Sequence, residues 1–358
     1  MKKFLNRLFI LLLAFSSVIQ FSACSTPPQD TASDTTDSDT TAAADVTDAT
    51  DDSSDGFSSL DGKKVIFIGN SFVYYGQTVI ERDWSVNDQQ NRINDKGYFY
   101  QLCKANGENV SVTNWTFGSH SLQNFCQHPC ANKNCKPYGS DHLGHLTDNY
   151  YDYVIISGGR KSTTTEEAFL GSMETLMEFF RKANPDVKFV YLCCSGSHNI
   201  SVSPSLPVNV LNNLKTIEEW GVTVVDWGKL IADIINGEVA VPGGVQPYTK
   251  NSFIVSNSES DGYHPNQLTG YITSLMTYCA ITGKSAVGQP YEFCSDRSLN
   301  AVFDFDSYIS SHYVYDRSTN YPEIFSSSPD MEGLQSLADK YLADKAFRNY
   351  NFEPLDND

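Results

Sequence analysis

A serine becomes a strong nucleophile only with a base beside it, and a histidine serves best as that base when a carboxylate orients its ring. Two short stretches of this chain supply those three groups. In "KKVIFIGNSFVYYG", residues 63–76, an apolar run closes on Gly69 and Asn70 and then presents Ser71. In "DGYHPN" Asp261 stands three residues before His264, and Pro265 biases His264 toward extended backbone. A tight turn that needs small residues is the plain explanation of Gly69-Asn70-Ser71 taken alone. Paired with the second stretch, Ser71 reads as the nucleophile of acyl transfer, His264 as its base and Asp261 as the residue that orients the imidazole.

That chemistry requires Ser71 at the tip of an element, with its hydroxyl toward solvent and backbone N–H groups facing the oxyanion. The chain has elements of the right kind. Five short, β-rich apolar runs occupy residues 63–69, 109–115, 153–157, 188–194 and 222–227. "YVIIS" and "KFVYLCC" are near-continuous rather than alternating, as in strands buried on both faces. Helical spacing follows: Glu166–Ala183 carries an apolar stripe and ends before Asn184-Pro185, residues 208–220 stop at Gly221, and residues 268–281 repeat an apolar stripe. Strands alternating with helices predict right-handed βαβ crossovers, hence an α/β fold with a parallel sheet covered on both sides. Sites in such sheets form beyond the carboxyl ends of the strands, which is where Ser71 falls. Beyond Tyr291 the pattern is less regular, but residues 328–347 read as a capped amphipathic helix added to the same domain.

The order of these motifs resembles the SGNH (GDSL-like) hydrolases. The shared features are a strand ending in Gly69-Asn70-Ser71, "NWTFG" at residues 114–118 after the second strand, and Asp261-x-x-His264 before a helix. The opening "IGNSF" and closing D-G-x-H-P look most like a bacterial branch of that family, and the resemblance spans about residues 63–283. It implies a doubly wound α/β/α sandwich with a five-stranded parallel sheet in flavodoxin-like order. It also implies ester hydrolysis by Ser71, His264 and Asp261, with the backbone N–H groups of Ser71 and Gly118 as the oxyanion hole. One block of the family pattern is absent: where its G-x-N-D asparagine binds the oxyanion, this chain reads "ISGGRKSTTT", residues 156–165. Gly159 permits close backbone approach there, and Arg160 or Ser162 could donate instead. Asn70 and His120 are further candidates for lining the pocket, though His120 fits a surface loop equally well. Tyr74, Tyr75 and Trp115 could form a platform for a sugar or belong to the core.

A second group of chemistry-bearing residues lies in "CQHPCANKNCKPYGSDHLGH", residues 126–145. It holds Cys126, Cys130 and Cys135 with His128, His142 and His145. The spacings match no standard zinc finger. Apart from Cys24 the chain has eight cysteines, an even number, which favours disulfides over a structural metal, with free thiols as the third alternative. No metal or other cofactor is expected. The adjacent pair Cys193 and Cys194 reads as buried packing thiols.

The N-terminus predicts where the domain works. Lys2, Lys3 and Arg7 precede a short apolar run that closes on "FSAC", residues 21–24. This is a secretory signal at residues 1–23, and Cys24 resembles the lipidated cysteine of a bacterial lipoprotein. Residues 24–59 are mostly Thr, Asp, Ser and Ala, a composition that cannot bury enough surface to order itself, and they read as a solvated tether. Residues 60–358 form the hydrolase-like domain. Three basic residues in the leader and nine aspartates in the tether leave −12 of the total charge of −18 to that domain. Such a balance argues against nucleic acid, whose phosphates require a basic patch. The expectation is a lipid-anchored, extracytoplasmic serine esterase on an acylated small molecule or polysaccharide. The rival readings are a binding module that keeps the fold without turnover, and an acyltransferase using the same covalent intermediate.

Overall fold

The computed structural model describes residues 58–74, 79–80, 95–117, 121–126, 150–157, 166–194, 208–245, 247–254, 264–296 and 323–345. All of them belong to one unit, Ser53–Asp358. The leader, Cys24 and most of the tether lie outside the described residues.

Five strands form one parallel sheet: β1 (Lys64–Gly69), β2 (Ser111–Thr116), β3 (Tyr153–Ser157), β4 (Lys188–Leu192) and β5 (Thr223–Val225). Their spatial order is β2-β1-β3-β4-β5, the flavodoxin-like arrangement of a doubly wound α/β fold. The fold expected from the sequence is therefore the fold found. The order reverses between β1 and β3, so the crevice at their carboxyl ends is the topological switch point where such sheets bind ligands. Ser71 stands directly beyond β1.

The described helices are α1 (Ser71–Tyr74), α2 (Tyr98–Ala105), α3 (Leu122–Cys126), α4 (Glu166–Ala183), α5 (Val208–Glu219), α6 (Trp227–Ile235), α7 (Lys250–Phe253), α8 (Gln267–Thr282) and α9 (Ser328–Ala343). Alternate side chains of the strands point to opposite faces, and each face has its own core. One face joins Ile66, Ile68, Val154 and Ile156 to Phe125 of α3, to Met173, Leu176 and Phe180 of α4, and to Ile217 of α5. The other joins Val65, Phe67, Tyr153 and Ile155 to α2, α6, α8 and α9.

Helix α4 runs as its stripe predicts, and Gly221, at φ 87°, follows α5 in the left-handed conformation expected of a stop. Several boundaries differ from expectation: β2 spans Ser111–Thr116 rather than 109–115, and β4 ends at Leu192 rather than at residue 194. The run 222–227 is a three-residue strand only, because Asp226 caps a helix, its side chain accepting from Lys229 N at 3.0 Å. The helix so begun, "WGKLIADII", is buried from Trp227 to Ile234, and its two charged residues, Lys229 and Asp233, pair with each other one turn apart inside the fold. The C-terminal helix ends at Ala343 rather than at residue 347.

Helix α8 is buried on nearly all sides although it carries several hydroxyls. Thr273, Ser274, Thr277 and Thr282 each donate to the carbonyl four residues earlier, at 2.6–2.9 Å, so none of these hydroxyls needs water. Gly283 ends the helix at φ 77°.

Candidate active site

The site begins with a close approach. Gly69 ends β1 beside Thr116 of β2 and Ser157 of β3. A Cβ on Gly69 would lie 2.4 Å from the Ser157 carbonyl oxygen, so the position accepts only glycine without a shift of the strands. The chain then turns. Asn70 is 5 % exposed, its Oδ1 accepts from Phe72 N at 3.1 Å, and its carbonyl accepts from Val73 N at 3.2 Å. Asn70 thus helps to build the turn that launches α1. In α1 the next three residues, Phe72, Val73 and Tyr74, are buried, while Ser71 keeps part of its surface. Both readings of Gly69-Asn70-Ser71 hold together: it is a tight turn, and the turn presents a serine.

His264 meets that serine. Its Nε2 lies 2.8 Å from Ser71 Oγ across 193 residues of sequence. The Phe72 ring lies 5.8 Å from the imidazole, tilted by 41°, and closes one side of the pair. The distance is a hydrogen bond, and it lies within the range a serine–base pair needs for proton transfer.

The bend that carries His264 is fixed from its C-terminal side. Pro265 pairs with Ile254 in an isolated antiparallel bridge. Asn266, 1 % exposed, makes several bonds at once. Its N–H donates to the Phe253 carbonyl at 3.1 Å, and its Nδ2 to the Ser252 carbonyl at 2.9 Å. Its Oδ1 accepts from Thr269 N at 3.1 Å and so caps α8. Sequence reasoning missed this clamp. An asparagine just before an apolar helical stripe is a readable cap signal, but its bonds to α7 are not encoded in local spacing.

The other residues expected at the site are Asp261, Gly118, His120, Gly159, Arg160 and Ser162, and all lie outside the described residues. Phe117, the last described residue before Gly118, donates its N–H to the Gly69 carbonyl at 2.9 Å, which sets the end of β2 against the start of the turn. Of the aromatic residues, Trp115 and Tyr74 are 1 % and 3 % exposed and belong to the core, while Tyr75 is not described.

The cysteines correct one expectation. Cys103, Cys126, Cys279 and Cys294 are free thiols rather than disulfide partners. Burial pushes Cys126 and Cys279 up to about 12 and holds Cys103 and Cys294 far above the usual thiol range. Cys126 packs in α3, where its Sγ lies 3.4 Å from the Ser172 carbonyl. Its sequence companions Cys130, Cys135, His128, His142 and His145 are not described. Cys193 is buried, as expected, and Cys194 is half-buried.

No protein-family model matches the chain, and no curated protein matches it. Among solved structures, the chain is similar to an acetyl xylan esterase from Geobacillus stearothermophilus. That likeness has 16% identity, covers 62% of this chain and 96% of that one, and gives a TM-score of 0.39. A DUF4886 family protein from Bacteroides uniformis is similar at 13% identity, over 78% of this chain and 95% of that one, with a TM-score of 0.38. A carbohydrate esterase family 2 enzyme with its carbohydrate-binding domain, from Corynascus thermopiles (Myceliophthora fergusii), is similar at 16% identity, over 63% and 67%, with a TM-score of 0.36.

Proposed function

We propose that this chain is a serine ester hydrolase of the SGNH type that works through an acyl-enzyme. The observation that carries the reading is the 2.8 Å contact between Ser71 Oγ and His264 Nε2 at the switch point of the sheet. In this reading Ser71 Oγ attacks the ester carbonyl while His264 Nε2 takes its proton. The tetrahedral intermediate collapses, the imidazolium returns the proton to the leaving alcohol, and the acyl group stays on Ser71. Water then attacks the acyl-enzyme with His264 as base, releasing the acid and restoring the hydroxyl. Asp261 is assigned to orient the imidazole, and the backbone N–H groups of Ser71 and Gly118 to hold the oxyanion. The substrate class that suits the reading is an acylated carbohydrate, acetyl esters above all.

A fluorophosphonate probe tests the central step, because it reacts only with an activated serine. Labelling should fall on Ser71 and should vanish when His264 is replaced by alanine. A wild-type protein that neither takes the probe nor cleaves a chromogenic acetyl ester ends the hydrolase reading.

The same proposal places the enzyme on the outer side of a cell membrane, held by lipid on Cys24 and spaced from it by residues 24–59. Cys24→Ala should leave unprocessed precursor or release protein to the medium. Unchanged processing and membrane association in that variant would refute the anchor.

A further inference from the structure

Helix α9 lies more than fifty residues past His264 in sequence, yet its first turn is joined to the bend that carries that residue. Asp330 is the joint. It is 0 % exposed, and its Oδ1 accepts from Val245 N at 3.0 Å and from Tyr248 Oη at 2.7 Å. Its Oδ2 accepts from Ser327 Oγ at 2.5 Å. An ionised carboxylate only accepts hydrogen bonds, and these three groups donate to it. Burial, and then the bond to Asp330, hold the Tyr248 hydroxyl far above the usual phenol range, so it remains a donor at any working pH.

The contact is tight. A Cβ on Gly333 would lie 2.2 Å from the Pro242 carbonyl oxygen, and one on Gly244 would lie 3.0 Å from Asp330 Oδ1. Helix α9 and the turn at Pro242 and Gly244 therefore meet at backbone distance, with little room to absorb a shift. From Tyr248 the connection continues inward. Its ring stacks on Phe253 of α7, with centroids 5.8 Å apart and planes 24° apart. The Phe253 carbonyl accepts from Asn266 N and from Thr269 Oγ1, while the Ser252 carbonyl accepts from Asn266 Nδ2. Asn266 is two residues from His264. The stacked rings, the short covalent run from Tyr248 to Phe253 and the bonds of Asn266 give a displacement at Asp330 a route to the bend.

We propose that Asp330 is a positioning residue for His264, acting through Tyr248 and α7 to hold the imidazole opposite Ser71. Its kinetic consequence rests on the hydrolase reading; its geometric consequence does not. Misplacement of a reacting group by about 1 Å can cost about 10² in rate, which sets the expected scale.

The test uses the full chain, with all measurements well below the midpoint of thermal unfolding. Asp330→Ala removes the acceptor and should lower kcat for a chromogenic acetyl ester about 10²-fold while KM changes less than about threefold. Asp330→Asn should restore kcat to within about threefold of wild type, because its amide oxygen can take both bonds made by Oδ1 and its NH₂ can face Ser327 Oγ. The second readout is the imidazole NMR resonance of His264, assigned by its loss in His264→Ala. In wild type this resonance should shift when Ser71 is replaced by alanine; in an Asp330→Ala background that response should disappear. An Asp330→Ala protein that only melts earlier, with kcat and the His264 response at wild-type values, overturns the proposal. Should Asp330→Ala fail to fold, Tyr248→Phe decides by the same two readouts: it keeps the stacked ring and loses only the bond to Asp330. Should the wild type cleave no ester, the hydrolase reading falls, and the His264 resonance alone decides whether Asp330 positions the ring.

Discussion

The two covers of the sheet are built on different principles. Among the described residues the α3–α4–α5 side is held mainly by shape, beside the buried bond from Asn184 Nδ2 to the Tyr151 carbonyl at 2.8 Å: Trp115 meets Phe125 edge-on at 5.0 Å, Tyr151 meets Phe180 at 6.0 Å, and Phe169 meets Tyr191 at 5.4 Å. The α2–α6–α8–α9 side adds buried directional bonds. Lys229 Nζ pairs with Asp233 at 2.7 Å, Tyr341 donates to the same carboxylate, and Gln335 donates to Tyr271 Oη at 2.9 Å. Ser71 begins α1 and the bend of His264 leads into α8, and α1, α7 and α8 all contribute to this second core. Apolar packing tolerates small slides, whereas a hydrogen-bond network admits few arrangements. The proposed reaction, which would depend on the Ser71–His264 distance, thus sits beside the cover that specifies distance.

Mutation can break or sharpen that contrast. The largest effect belongs to the site itself. Ser71→Ala should lower ester hydrolysis by at least ~10⁴ and leave thermal unfolding nearly unchanged, since a part-exposed hydroxyl contributes little to packing. Adding His264→Ala should cost little more, because either loss disables the shared step; multiplicative losses would show that the two do not work as a unit. Next comes the apolar cover. Phe180→Ala should destabilise the fold by about 3–5 kcal/mol in denaturant titration, with kcat per folded molecule held within about twofold. A large fall in kcat there would erase the distinction between the covers.

Gln335→Leu should reverse the pattern. It strips partners from Tyr271 Oη, the Gln289 carbonyl and Gly288 N, and should cost about 1–3 kcal/mol, less than Phe180→Ala. Because Tyr271 lies on α8, just past the cap that adjoins His264, kcat should nonetheless fall several-fold. The smallest effect is common to both covers. Cys126 on one side and Cys279 on the other are pushed up to about 12 by burial, against an ordinary value of 9.0. Both should resist alkylation at about pH 8 until the chain is unfolded, because the thiolate is the reactive form. The sign for stability follows: the unfolded chain loses these protons near 9 while the folded one keeps them to about 12. Their contribution is therefore intact below pH 9 and declines as pH rises through that window, which denaturant titrations on either side of pH 9 would register.

Much of this arrangement is legible in the sequence, and what is not has physical reasons. Strand β3 and helix α4 coincide with their patterns because a continuous apolar run and a clean stripe leave one reading each. The Ser71–His264 pairing is legible because the chemistry demands a base and the motif order supplies one. Helix α6 is not, since it is only 9 residues long and its charged pair, Lys229 and Asp233, is buried rather than turned to solvent. Asp330 reads locally as an acidic residue in a helix's first turn, a favourable place beside the helix dipole. Besides the nearby Ser327, it binds Val245 N and Tyr248 Oη, 85 and 82 residues away, and no local rule reaches that far. The thiols were misjudged for a similar reason. An even cysteine count says nothing about burial, and burial is what holds Cys103, Cys279 and Cys294 in the core.

The position of β1 has a consequence in time. This strand precedes the other four of the sheet in sequence, yet it ends up between β2 and β3, so it must wait for both neighbours before its ladders close. Parallel pairings of this kind join distant segments and form slowly. Ser71 waits longer still: in the proposed mechanism it is an ordinary alcohol until a bend 193 residues later has docked. A chain only partly folded would therefore hold no activated serine to react with whatever it meets on the way. The onset of activity would mark the end of folding, and a burst of ester cleavage during refolding could serve as its clock.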